Sequence, residues 1–301
     1  MKVNMNFNSS TNRGNTLQNL RLRTNNQPIT IYQSQQAHLD EEFHSKDPFN
    51  GLQYTYVQDP VAEIEHCKGI LIKQYPDSFD FISGFETCNK YYIFGINNDN
   101  SYKYLFKCEE KINCFMQFLC PVSNKKLDMN LMHVSSIGEQ PQKIGNISKP
   151  YTCSCFCICR PELILTLEDS RETVGKIKED FCCIENAYKV IDIKNKSRYL
   201  VKANCCQCGL FFSNSLCGKN CDASFSIVEP ITQEQLGIIA KQNTGDKKNV
   251  VETYEIKFPR NATSNDKLLL TALGVMIDYQ FFELDPRKVN ENVNKDSSLK
   301  E

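Results

Sequence analysis

The chain has 301 residues, with 35 Lys plus Arg against 36 Asp plus Glu and a formal charge of −1. That length holds one large β domain or two small ones, either able to bury a real core. The charge balance excludes the broad basic footprint of a general nucleic-acid binder, and no specific nucleic-acid contact is evident.

In chain order, residues 1–47 are rich in Asn, Gln, Ser and Thr and carry no sustained apolar period, so they read as a disordered arm. No basic segment followed by an apolar core opens the chain, so no secretory signal is expected. The 16 cysteines are then expected to stay reduced, which points to metal binding, thioester lipidation or small-residue packing. Order is expected from residue 48, where Leu52, Tyr54 and Tyr56 alternate like a half-buried strand.

From there to Pro259 short apolar runs alternate with Asn, Asp, Gly and Pro. Tyr91–Phe94, Tyr104–Lys107, Phe115–Leu119, Leu163–Leu167, Tyr188–Ile193, Tyr199–Val201, Phe225–Val228 and Leu236–Ile239 read as strands. Asn97–Asn100 and Lys194–Lys196 read as hairpin turns. Many short strands at this spacing predict a barrel or sandwich rather than alternating β and α units. The two halves echo each other: Ile72 to Gln74 parallels Ile177 to Glu179, and Tyr104 to Lys107 parallels Tyr199 to Lys202. Cys114 and Phe118 match Cys221 and Phe225, and a strand around Leu127 answers one around Leu236. A duplicated set of strands in one closed domain is the reading.

Cys153, Cys155, Cys157 and Cys159 alternate. In an extended segment all four thiols point to one face, neighbours ~6.6–6.8 Å apart. A single tetrahedral zinc cannot gather such a row, so zinc is not expected there, whereas several acyl chains can be attached. Metal binding together with other cysteines, and inert or redox-sensitive packing, are the alternatives. Cys205, Cys206, Cys208, Cys217 and Cys221 have spacings that could turn around one metal, although turn cysteines commonly have no ligand at all. His38, His44, His66 and His133 lack sequence neighbours that suggest a triad, and no glycine-rich phosphate loop occurs, so covalent catalysis is not expected.

Near the C-terminus, Leu268, Leu269, Leu270, Leu273, Val275, Met276, Ile277, Phe281 and Phe282 make a segment apolar on every face. Ser264 and Asn265 are candidate N-caps, and Pro286 is a stop signal. Such a helix must be enclosed by protein or by lipid. From Lys267 to Phe282 it spans about 24 Å, against a ~30 Å hydrocarbon core. Asp278 lies inside the segment and carries a charge cost in lipid. Both facts favour a core helix over a transmembrane anchor. A polar, charged tail, 285–301, follows.

Three stretches together resemble the phospholipid scramblase family. Gly84 to Tyr91 is similar to its early signature. Lys149 to Pro161 occupies the place of its palmitoylated cysteine run. Ile256 to Pro259, followed by Ile277 to Glu283, looks like its calcium segment and terminal helix. The resemblance extends over 48–284. It implies a tubby-like fold, a closed twelve-stranded β-barrel around a central apolar C-terminal helix. It also implies calcium-stimulated, ATP-independent, bidirectional movement of phospholipids between membrane leaflets. Palmitoyl chains on Cys153, Cys155, Cys157 and Cys159 would hold the protein on the cytoplasmic face of a membrane, the plasma membrane above all. Without them it would reside in cytosol or nucleus. Membrane phospholipids are the implied partners.

Two departures from the family pattern matter. The N-terminal arm is Asn-rich instead of proline-rich. The calcium segment maps onto Val250 to Asn261 with Val250 at its first acidic position, leaving Glu252, Glu255 and Asn261 as the candidate calcium ligands. The competing class is a lipid-anchored adaptor or regulator with the same fold that moves no lipid.

Overall fold

The computed structural model describes residues 52–75, 89–111, 126–150, 160–168, 172–180, 187–203, 223–242 and 252–281. The first elements are a short strand β1 (Tyr54–Tyr56), a helix α1 (Pro60–His66) and strands β2 (Gly69–Tyr75), β3 (Lys90–Ile96) and β4 (Tyr102–Glu110). Then come β5 (Leu127–His133), β6 (Gln142–Lys149), β7 (Glu162–Leu167), β8 (Thr173–Asp180) and β9 (Ala187–Asp192). The chain continues through β10 (Ser197–Ala203), β11 (Ser224–Val228), β12 (Gln235–Gln242) and β13 (Glu252–Lys257) to a final helix, α2 (Ser264–Phe281).

Strands β2 to β13 form a closed antiparallel barrel of twelve strands. Closure comes from two pairings: β2 with β13, and β4 with β5. This is the tubby-like architecture that the family resemblance implies. A thirteenth strand, β1, pairs parallel to the Tyr102–Tyr104 part of β4, while β5 pairs with residues 107–110 of β4. His133 secures this junction, its Nδ1 2.8 Å from the Leu105 carbonyl and its Nε2 3.0 Å from that of Val57.

Alternation decides what faces inward. Ile72, Ile93 and Phe106 lie opposite one another on β2, β3 and β4, and all three are fully buried. The two predicted turns carry Asn100 and Asn195 at φ 64° and 59°, left-handed values that Asn tolerates.

Helix α2 fills the barrel. Leu268, Leu269, Leu270, Leu273, Val275, Met276 and Ile277 are each buried. The helix comes so close to the wall that a Cβ on Gly274 would lie 2.8 Å from the Cδ1 atoms of Ile72 and Ile256. Its start is a reciprocal cap. Thr263 Oγ1 accepts from the Asp266 N–H at 3.2 Å, and Asp266 Oδ2 accepts from the Thr263 N–H at 3.0 Å. The cap is therefore Thr263, not Ser264 or Asn265. At 18 residues α2 is about 27 Å long, slightly longer than the sequence suggested.

Helix α1 was not foreseen. Asp59 caps it, Oδ1 accepting from the Val61 and Ala62 N–H groups at 3.0 Å each, with Pro60 in its first turn. Its end is tied to α2: Lys267 Nζ donates to the Glu65 and Cys67 carbonyls at 2.7 and 2.9 Å.

A shift of six strands along the chain carries β2 onto β8 and β4 onto β10, in agreement with two of the sequence echoes. It carries β5 onto β11, so matching Leu127 with Leu236 of β12 was wrong by one strand. The expected strand Phe115–Leu119 lies outside the described residues, as do Cys114 and Cys221.

Candidate functional site

The antiparallel order gives the barrel two unlike ends. At the end where α2 starts, Arg198 Nε and Nη2 donate to the Asp266 carboxylate at 3.1 and 3.0 Å. Burial raises the Asp266 pKa, but the Arg198 guanidinium and the Thr263 groups outweigh it and hold the carboxyl below its usual range. Short joints connect the strands here.

The other end surrounds the last turn of α2. It receives the ends of β2, β4, β6, β8, β10 and β12; in the chain these strands are followed by segments 76–88, 112–125, 151–159, 181–186, 204–222 and 243–251, which lie outside the described residues. Five of these six segments contain all the cysteines of the chain except Cys67 and Cys108. Those two are buried, and burial first of all pushes their thiols up to about 11 and about 12, which suits packing rather than nucleophilic chemistry.

Inward positions turn polar at this mouth. The Tyr91 hydroxyl donates to Asp278 Oδ2 at 2.8 Å, and the Tyr188 hydroxyl donates to Gln280 Oε1 at 3.0 Å. Gln74 Nε2 donates to Asn89 Oδ1 and Asn89 Nδ2 to Glu110 Oε2, both at 2.9 Å, while the Tyr279 hydroxyl donates to Glu110 Oε1 at 3.3 Å. Opposite Leu127, Lys149 continues the inward row of β6 and is only 1 % exposed. Its burial lowers the amine to about 8, against the attraction of Glu179, which also pairs with Arg160 at 3.0 Å. The mouth is thus a collar of mutually bonded donors and acids. The polar end of α2 finds protein partners in it, which explains how Asp278 sits fully buried in an apolar helix.

A family model described as Scramblase matches residues 51–284, spanning the barrel and its central helix. The chain belongs to the scramblase family. Human phospholipid scramblase 1 is 24% identical over 218 residues, covering 71% of this chain and 63% of that protein. Mouse phospholipid scramblase 4 is 25% identical over 150 residues, 48% of this chain and 43% of that protein. Human phospholipid scramblase 4 is 20% identical over 239 residues, 78% of this chain and 65% of that protein. The chain therefore spans less than two thirds of the length of each of these relatives.

The sequence-derived sites of this scramblase-family chain fare differently. Cys153, Cys155, Cys157 and Cys159 lie outside the described residues, in the segment joining β6 to β7; Cys205 and its neighbours lie outside as well. Glu252 and Glu255 belong to β13, at register positions opposite Gln74 and Leu71. Three residues apart in one strand, they have opposite parity and do not share a face. Gln242 Nε2 donates to Glu255, and Lys257 lies 3.9 Å away from it. Asn261 follows in the turn before α2 and is exposed. Among the described residues, no group of three or more His, Cys, Asp or Glu is placed to hold a metal ion. Nor is any described helix long and apolar enough to cross a membrane. The apolar residues of α2 through Ile277 are enclosed by the barrel, while the Phe281 side chain and Phe282 lie outside the described residues.

Sequence reasoning missed the collar. Its signal was present: Ile147 to Lys149 and Ile177 to Glu179 continue period-two inward rows into charged residues at a strand end.

Proposed function

We propose that this scramblase-family protein moves phospholipids between membrane leaflets, in both directions and without ATP, as a transporter and not a catalyst of covalent chemistry. One observation carries the reading: the family match covers the whole barrel with its helix, so the resemblance is to a complete domain. Acyl chains on Cys153, Cys155, Cys157 and Cys159 would attach the domain to the cytoplasmic face of a membrane, since two or more chains give stable anchoring where one does not. The plasma membrane is the proposed location.

Calcium stimulation is part of the proposal only in weakened form. Glu255 lies on a paired strand and Asn261 beyond its end. A hard cation wants six to eight converging oxygens, so a site using these residues would bind at about 10⁻⁴–10⁻³ M, the weak end of the range.

The test is lipid exchange in vesicles reconstituted with the full chain, across a calcium series and without ATP. Exchange above that of empty vesicles supports the reading; none at any calcium level refutes it. A second reading, a lipid-anchored adaptor of the same fold, is favoured by the enclosure of α2 in the barrel. It predicts membrane retention with no lipid exchange.

A further inference from the structure

The outer wall of β8, β9 and β10 has an arrangement that folding alone does not favour. Lys178 lies directly opposite Lys189 in the antiparallel register, on the outward side, since their neighbours Ile177 and Val190 are fully buried. Like charges directly opposite destabilise a sheet. Lys189 is relieved by Asp180 at 2.9 Å. Lys178 is exposed; Glu162 of β7 stands opposite it on its other flank but lies within ion-pair distance of Lys176 instead, and Lys178 makes no ion pair among the described residues. On β10 the same outward side carries Leu200, opposite Lys189, and then Lys202, which bonds the neutral Gln233. Lys176 adds a fourth amine on β8, 3.9 Å from Glu162. The hairpin joining β9 to β10 extends the strip with Ile193, 59% exposed, and then Lys194 and Lys196.

We infer that this wall is a docking face for a bilayer rich in anionic headgroups. The inference rests on the proposed membrane function and names the lipid surface that the domain would engage. Amines along one stretch of the barrel wall, mixed with half-buried aliphatic side chains and ending in an exposed isoleucine, match the layering of such an interface: anionic headgroups outside, hydrocarbon beneath. The chain as a whole carries a formal charge of −1, so the strip is a local excess and not a reflection of overall basicity. An acidic protein is the competing occupant. It would bind the lysines but have no need of a headgroup surface.

The test uses the purified full chain without acylation. Its sedimentation is measured with vesicles of phosphatidylcholine alone and of equal parts phosphatidylcholine and phosphatidylserine, at low and high salt. The expected result is binding to the anionic vesicles only, weakened by salt. Roughly fivefold should be lost per lysine neutralised, and about a hundredfold in the combined K178Q, K189Q and K202Q variant. Lys257→Glu on β13, which changes net charge on another strand, should bind nearly as the unaltered chain does. Circular dichroism melting shows whether each variant is folded; if the combined variant is not, Lys178→Gln alone, at an exposed position, serves in its place. Equal binding by the lysine variants, equal binding to neutral vesicles, or binding to neither vesicle overturns the docking face. Vesicle binding through these lysines with no lipid exchange after reconstitution would refute the transport reading and leave the docking face standing.

Discussion

Leu273→Ala separates a helix enclosed by protein from one that waits for lipid. Leu273 is fully buried halfway along α2, with the barrel wall around it. Truncation removes apolar contacts and leaves a cavity that the closed barrel cannot easily collapse. The expected cost is about 2.7–5 kcal/mol. For a domain of this size each kcal/mol lowers the melting temperature by about 2–4 °C, so the midpoint should fall by roughly 5–20 °C. Urea unfolding of the purified chain, followed by circular dichroism, gives the free energy directly. Ile231→Ala is the control: that side chain is 88% exposed in a turn, and its change should stay within about 0.5 kcal/mol. If Leu273→Ala also cost less than about 0.5 kcal/mol, α2 would not be core in solution, and its enclosure would be refuted.

Arg198→Ala removes the bidentate partner of a nearly buried carboxylate, and its cost, about 2 kcal/mol, is reduced from that of a fully buried pair because Arg198 is 30% exposed. The folded pKa of Asp266 is lowered, so its contribution is complete at neutral pH and is lost as pH falls through the folded value, below about 4. Acid titration of Arg198→Ala should therefore unfold at higher pH than the unaltered chain. Lys149 has the opposite sign. Its folded value is about 8 against 10.5, so the unfolded chain binds more protons between them and stability should rise with pH across that window. Lys149→Met should flatten this rise and leave the protein at least as stable at neutral pH, as melting curves would show. Changing Cys153, Cys155, Cys157 and Cys159 together to Ser should release the protein from membranes in cell fractionation. Unchanged retention would refute acyl anchoring.

The local chemistry of this protein was legible in its residues. Alternating runs such as Leu163–Leu167 and Phe225–Val228 became strands because period two is a property of the backbone. Asn97–Asn100 and Lys194–Lys196 became turns because Asn accepts positive φ. The all-apolar helix announced that something must enclose it. The strand number and its closure came from resemblance and were met by the structure. Only the tertiary structure could decide what encloses α2, because Leu273 presents the same side chain to a barrel wall as to lipid. It also decided the partners of charge. Asp278 with Tyr91, Asp266 with Arg198 and Lys178 facing Lys189 are separated by 187, 68 and 11 positions respectively. No local pattern links such pairs; strand register and helix placement do.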